Sequence, residues 1–185
     1  MILPGAASRA EYTILPNGTA FSASIELVDA DSYWFYEPGL IGERVPLKVG
    51  GVALSGACSP CGFSWRGDAI IQFPRGNYTL SFQGPVHDHH FVAVFDQPHQ
   101  VSIVLPPGYD VRNPALGMVS TGAVVSDLPE GGTEISWNAT RTAEVRFYEK
   151  EREDLLYLFA NFWAVIAVVM LVPFLLTWRR GYMPP

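Results

Sequence analysis

Residues 155–178 read LLYLFANFWAVIAVVMLVPFLLTW, with no Asp, Glu, Lys, Arg or His. As a helix rising about 1.5 Å per residue, this stretch reaches about 36 Å, beyond the roughly 30 Å of a bilayer's hydrocarbon core. A lone segment in lipid must be helical, because only a helix satisfies its own backbone there. The sequence therefore predicts one membrane-spanning helix and, before it, a water-facing domain.

The flanks do not orient the helix by themselves. Arg146, Lys150 and Arg152 precede it, and Arg179 and Arg180 follow at once. The positive-inside rule counts Lys and Arg, here three against two. The tight Arg179-Arg180 pair suits a cytoplasmic stop-transfer end. Trp163 and Trp178 lie toward opposite interfaces, and Pro173 predicts a kink in the last third. Asn161 bonds either to its own backbone or to a partner helix. Export is argued from the domain. Of five Asn, three head sequons: Asn17-Gly18-Thr19, Asn77-Tyr78-Thr79 and Asn138-Ala139-Thr140. Residues 1–10, MILPGAASRA, read as the remnant of a signal peptide ending in Ser8-Arg9-Ala10, or else as a flexible tail. The expected organisation is this remnant (1–10), a β domain (11–148), a juxtamembrane stalk (149–154), the span (155–178) and a cytoplasmic tail (179–185). That places the chain in the cell membrane as a single-pass protein, its N-terminal domain extracytoplasmic and its C-terminus cytoplasmic. A six-residue stalk reaches only about 9 Å as a helix, so the domain is expected close to the headgroups.

Charge narrows the partners. Residues 11–154 hold nine Lys plus Arg against 18 Asp plus Glu, a net of −9. Such a domain does not bind nucleic acid, and anionic headgroups repel it.

The domain reads as strands. Phe21, Ala23, Ile25 and Leu27 alternate with polar residues, as do Tyr78, Leu80 and Phe82, then Val101, Ile103 and Leu105, then Ile135 and Trp137, and Val145 and Phe147. Residues 91–95 (FVAVF) are apolar on both faces and predict a central strand. Residues 12–15, 33–36, 45–49, 69–73 and 123–125 are weaker strands. Turn signals separate these segments, among them Pro16-Asn17-Gly18, Pro74-Arg75-Gly76-Asn77 and Pro106-Pro107-Gly108. Many short strands and no long amphipathic helix before Glu149 imply a mainly β fold, a single immunoglobulin-like β-sandwich.

Chemistry is sparse. Cys58 and Cys61, the only cysteines, lie three apart and are read first as a disulfide closing a small loop. They also suit a redox dithiol, or half of a zinc or copper site completed by His87, His89 and His90. His99 is the fourth histidine, and all four otherwise belong to a solvated loop before the 91–95 strand. The loop after Leu105 carries Tyr109, Asp110, Arg112 and Asn113 between prolines. It either binds a partner or is tied together by Asp110 and Arg112. No phosphate loop, nucleophile triad or paired carboxylates appear. Asp88 and Asp96 beside the histidines come nearest to a catalytic cluster.

Phe73-Pro74-Arg75-Gly76-Asn77-Tyr78-Thr79-Leu80 resembles the hairpin start of prealbumin-like and immunoglobulin-like surface modules, where Gly makes the turn and Tyr packs across it. With CSPCGFSW, LPPGYDVRNPALG and RFYEKERED before the span, most of the chain resembles an uncharacterised family of membrane-anchored surface proteins of euryarchaeal methanogens and halophiles. That resemblance implies the location and architecture and carries no activity. The expected function is non-enzymatic, with no cofactor: a structural or interaction subunit at the cell surface. Its partners are membrane lipid through 155–178 and another protein. The alternative is a metal-binding or thiol-redox protein using Cys58, Cys61 and the histidines. An enzyme with His89 or His90 as base ranks third.

Overall fold

The computed structural model describes residues 8–39, 41–56, 58 and 61–180. Residues 1–7 of the predicted remnant, Ser59 and Pro60 of the cysteine loop and residues 181–185 of the predicted tail lie outside the described residues. So do the side chains of Trp178, Arg179 and Arg180. The elements in order are β1 (Arg9–Ile14), β2 (Ala20–Trp34), β3 (Tyr36–Pro38), β4 (Arg44–Pro46), β5 (Gly50–Gly56), β6 (Ser64–Arg66) and β7 (Ile70–Pro85). Then come β8 (His90–Leu105), β9 (Tyr109–Asp110), β10 (Met118–Val119), β11 (Val124–Asp127), β12 (Thr133–Arg146), β13 (Tyr148–Glu149) and the helix α1 (Lys150–Arg180). The chain divides into two compact units between Tyr148 and Glu149.

The first unit is mainly β, as predicted, but its strands are not all short. β2, β7, β8 and β12 run for 15, 16, 16 and 14 residues. Each joins two segments that the sequence reads as separate. Residues 74–77, read as a turn, lie inside β7. Their turn chemistry serves a bend. The β2–β7 register shifts between Leu27 and Ser32, and the partners given to β7 skip residues 73–75, so Pro74 is spared a ladder bond it cannot donate. Asp29 takes φ 52° at the shift. Its N–H donates to Asn77 Oδ1 at 2.8 Å, and its carboxylate accepts from Arg75 Nε at 2.8 Å and Nη2 at 2.6 Å. Tyr78 does pack across, with its hydroxyl donating to Pro74 O at 2.8 Å, yet the chain runs on rather than reversing. A matching shift bends β12 against β8 between Trp137 and Thr142, where Thr140 Oγ1 donates to Thr142 O at 2.7 Å.

The bends fold one nine-stranded sheet onto itself, as a sandwich, with β1 parallel to β8 and its other pairs antiparallel. One layer is continuous. It runs β11, the first half of β12, the second half of β8, β1, the first half of β2, the second half of β7, then β5. The other layer consists of two pieces. One is β10, residues 142–146 of β12 and residues 90–94 of β8. The other is residues 30–34 of β2, residues 70–76 of β7 and β6. Inward side chains of both layers form one core. Ile25, Leu54, Ile71, Leu80, Val101, Ile103, Leu105 and Ile135 are buried, and Phe91 packs across on Tyr12 and Phe21, with ring centroids 4.9 and 5.0 Å apart.

Two expectations need correction. Ala10, placed in the remnant, is fully buried in β1 between Ile25 and Val101, so the domain begins no later than Arg9. Among the described residues, 91–95 do not form a central strand, since β12 flanks them on one side only. Phe91, Ala93 and Phe95 face the core and are buried, whereas Val92 and Val94 face outward and are half-buried, as Val104 is on the same face of β8.

In the second unit α1 continues through Pro173. Leu155, Leu158, Phe162, Val169 and Met170 are all exposed, which in water would leave a helix with nothing to hold it. It is long and apolar enough to be a candidate membrane span.

Candidate functional site

The break in the second layer is a cleft of about 680 Å³. Residues 33–39, the end of β2 and the whole of β3, form one wall, and residues 90–94 of β8 form the other. Tyr12, Phe21 and Phe82 from the continuous layer also line it. Eight lining residues are aromatic: Tyr12, Phe21, Tyr33, Trp34, Phe35, Tyr36, Phe82 and Phe91.

The run Tyr33-Trp34-Phe35-Tyr36 explains why the wall exists. Successive strand residues point to opposite faces, so one core can bury only every second ring. Phe35 is buried, while Trp34 is 38% exposed. Arg44 holds the outer rings. Its guanidinium sits 4.5 Å from the Tyr36 ring centre and 5.5 Å from that of Trp34, and it pairs with Asp96. Burial pushes the Tyr12 and Tyr33 hydroxyls upward in pKa. Burial also raises Tyr36, against the opposing Arg44 charge. All three therefore stay neutral, and the Tyr36 hydroxyl donates to Val94 O at 3.0 Å.

The cleft's charge is one-sided. Glu37, Asp88 and Glu144 line it, and no Lys or Arg does so among the described residues. His90 Nε2 lies 2.9 Å from Glu144 Oε1. His87 and His90 flank a tight turn in which His90 N donates to His87 O at 2.8 Å. Asp88 and His89 both take positive φ, 52° and 55°, as a type I′ turn requires.

The predicted site residues are thus dispersed. His87 and His90 reach the cleft, whereas His89 packs its ring on Tyr109 and Phe147 and His99 stacks on Phe95. Cys58 and Cys61 lie between β5 and β6 at disulfide distance, their Cα atoms 5.1 Å apart. Among the described residues no group of three or more His, Cys, Asp and Glu is gathered to hold a metal ion. The loop after β8 spends its side chains on itself. Asp110, buried, accepts from the Val111 and Arg112 amides at 2.7 and 3.1 Å. Arg112 bridges Asp110 and Asp127, and Asn113 N donates to the Tyr148 hydroxyl at 3.1 Å. Tyr109 is buried too. The three sequon asparagines, Asn17, Asn77 and Asn138, are exposed. The sequence reading missed Trp34, Tyr36 and Val92 as site residues. Four consecutive aromatics were the available signal.

The chain belongs to a family of unknown function, DUF5803, whose model matches residues 65–180. The match takes in the β8 wall and α1 and stops short of the 33–39 wall. No curated protein matches the chain.

Proposed function

We propose that this family member is a single-pass membrane protein whose β domain faces away from the cytoplasm and acts, without catalysis, as an interaction subunit. The cleft between residues 33–39 and β8 is its contact site. One observation carries the reading: an open cavity whose aromatic lining includes Trp34 at 38% exposure and the half-buried Tyr33 and Tyr36, over rings that the core buries. Exposed aromatic surface in a concave site is the usual mark of a place where something binds. The anchor is α1, whose exposed apolar side chains call for lipid. The outward orientation is supported by three exposed sequons and a cysteine pair at disulfide distance.

The test uses the full chain in its own membrane. Alkaline washing should leave it in the pellet, and deleting residues 155–180 should release it. Protease added outside sealed cells should remove the β domain. In mild detergent the protein should migrate in an assembly larger than its own 20.4 kDa plus detergent. Trp34→Ala and Val92→Glu, checked for unchanged circular dichroism, should reduce that assembly to the free chain. A chain that is free to begin with, or an assembly that survives both substitutions, overturns the interaction reading.

A further inference from the structure

The broken layer exposes backbone as well as rings. In a strand the N–H and C=O of one residue point to one side and those of the next residue to the other. Three bonds fix the sense in β8. His89 O accepts from Phe147 N at 3.0 Å, so odd residues face β12. His90 N donates to His87 O, and Val94 O accepts from the Tyr36 hydroxyl, so even residues face the cleft. Val92 lies between them. Its N–H and C=O, and the N–H of Val94, therefore point into the cleft, where no strand of the described residues pairs with them. In the continuous layer β1 fills the corresponding place between β8 and β2, with Ala10 opposite both Val101 and Ile25.

Resting on the reading that the cleft is the contact site, we infer that its occupant is an extended segment of a partner protein that adds as a strand to the free edge of β8. Strand addition draws affinity from main-chain hydrogen bonds and specificity from pockets for alternate side chains. The edge offers the first and the aromatic lining the second. Glu37, Asp88 and Glu144 set the charge: the segment alternates apolar residues with polar ones that include Lys or Arg. Tyr36 occupies the edge at rest. Its hydroxyl holds Val94 O, one of the cleft-facing carbonyls that an incoming amide would take, and an arriving strand displaces it. Edge strands left open invite pairing with any chain, and a side chain laid over the edge guards against that.

The probe is a fluorescein-labelled heptapeptide of alternating valine and lysine, titrated by anisotropy against the full chain in neutral phosphatidylcholine nanodiscs, with empty discs as the blank. Two further peptides carry N-methyl groups on one alternate set of amides or on the other. Saturable binding is expected. Methylation of the set that faces β8 should weaken it at least tenfold, and methylation of the other set should leave it within a factor of two. The Val92 and Val94 amide resonances should shift on binding. Tyr36→Phe, which removes the competing hydroxyl, should tighten binding severalfold. Absent binding, or equal weakening by both methylated peptides, overturns strand addition. Binding that appears only after residues 1–7 are deleted assigns the cleft to the chain's own segment and overturns a partner strand. If the probe fails while Trp34→Ala still dissolves the native assembly, the contact site stands and only its strand mode falls. If both fail, the interaction reading falls too.

Discussion

The same strands build both layers of this sandwich, and the layers end up unalike. In the continuous layer β8 has β12 on one side and β1 on the other, so every amide from Gln100 to Val104 lies within a ladder. A few residues earlier, past the register shifts between Val94 and Val101, β8 keeps β12 and has no second neighbour among the described residues. Val101 and Ile103 are wholly buried, whereas Val92 and Val94 are only half covered. That difference follows the face of the strand and not the layer, since Val104, between two strands, is half-buried on the same outward face. What separates the layers is the ladder: β1 pairs with β8 from Gln100 to Val104, and no strand of the described residues takes that place beside residues 90–94.

Amide hydrogen exchange is the measurement most able to break this contrast. Ile103 should exchange only through global opening, protected by the ~5–15 kcal/mol typical of a whole domain, whereas Val92 should exchange within a few powers of ten of a free amide. Equal protection at the two positions would mean that the β8 edge is closed. Core truncation comes next. Ile103→Ala should cost about 2–5 kcal/mol in chemical denaturation, because the side chain is walled in by both layers. On the outward face of the same strand, Val92→Ala should cost less than about 1 kcal/mol, since the lost methyls were already half in solvent. A comparable loss at both sites would mean that the outward face at Val92 is covered.

How much of this could be read from the sequence depends on range. Alternation is local, so the inward faces of β2, β8 and β12 were visible at Phe21, Ala23 and Ile25, at Val101, Ile103 and Leu105, and at Ile135 and Trp137. The helix was visible because twenty-four uncharged residues admit few alternatives. Strand length was not visible. Pro74, Gly76 and Asn77 have the same chemistry whether the chain reverses or merely bends, and the outcome depends on β2 shifting register beside them. The cleft was harder still. It exists because no strand of the described residues lies between two segments far apart in the sequence, residues 30–34 and 90–94, and no local pattern records a missing neighbour. Only the aromatic run from Tyr33 to Tyr36 hinted at it, by carrying more rings than one buried face can hold.

The smallest expected effect concerns the bend shared by β2 and β7. The hydrogen bond from Arg75, helped by its charge, holds the Asp29 carboxyl below its ordinary pKa. The folded state therefore favours the ionised form. Any stabilisation is present above the unfolded pKa and fades as pH falls through the lower folded value. Both side chains are largely in water, so the contribution is slight and screened by salt. Asp29→Asn, which tolerates the positive φ, should lower the Tm slightly at neutral pH and not at all once the carboxylate is protonated. A difference that persists in acid would mean that the side chain shapes the bend sterically rather than by charge.

The parallel pairing of β1 with β8 also bears on how the molecule comes to exist. Arg9 lies beside Gln100, and Ile25 beside Leu80. Such distant pairings make loop closure costly before any contact rewards it, which places a domain of this kind among slow folders, on a scale of milliseconds to seconds. During synthesis β1 and β2 emerge with half of their ladder partners still unmade. The continuous layer cannot zip until the second half of β8 has left the ribosome. Through that interval the chain presents long unpaired edges, and its yield in a cell should depend on how well nascent copies are kept from one another.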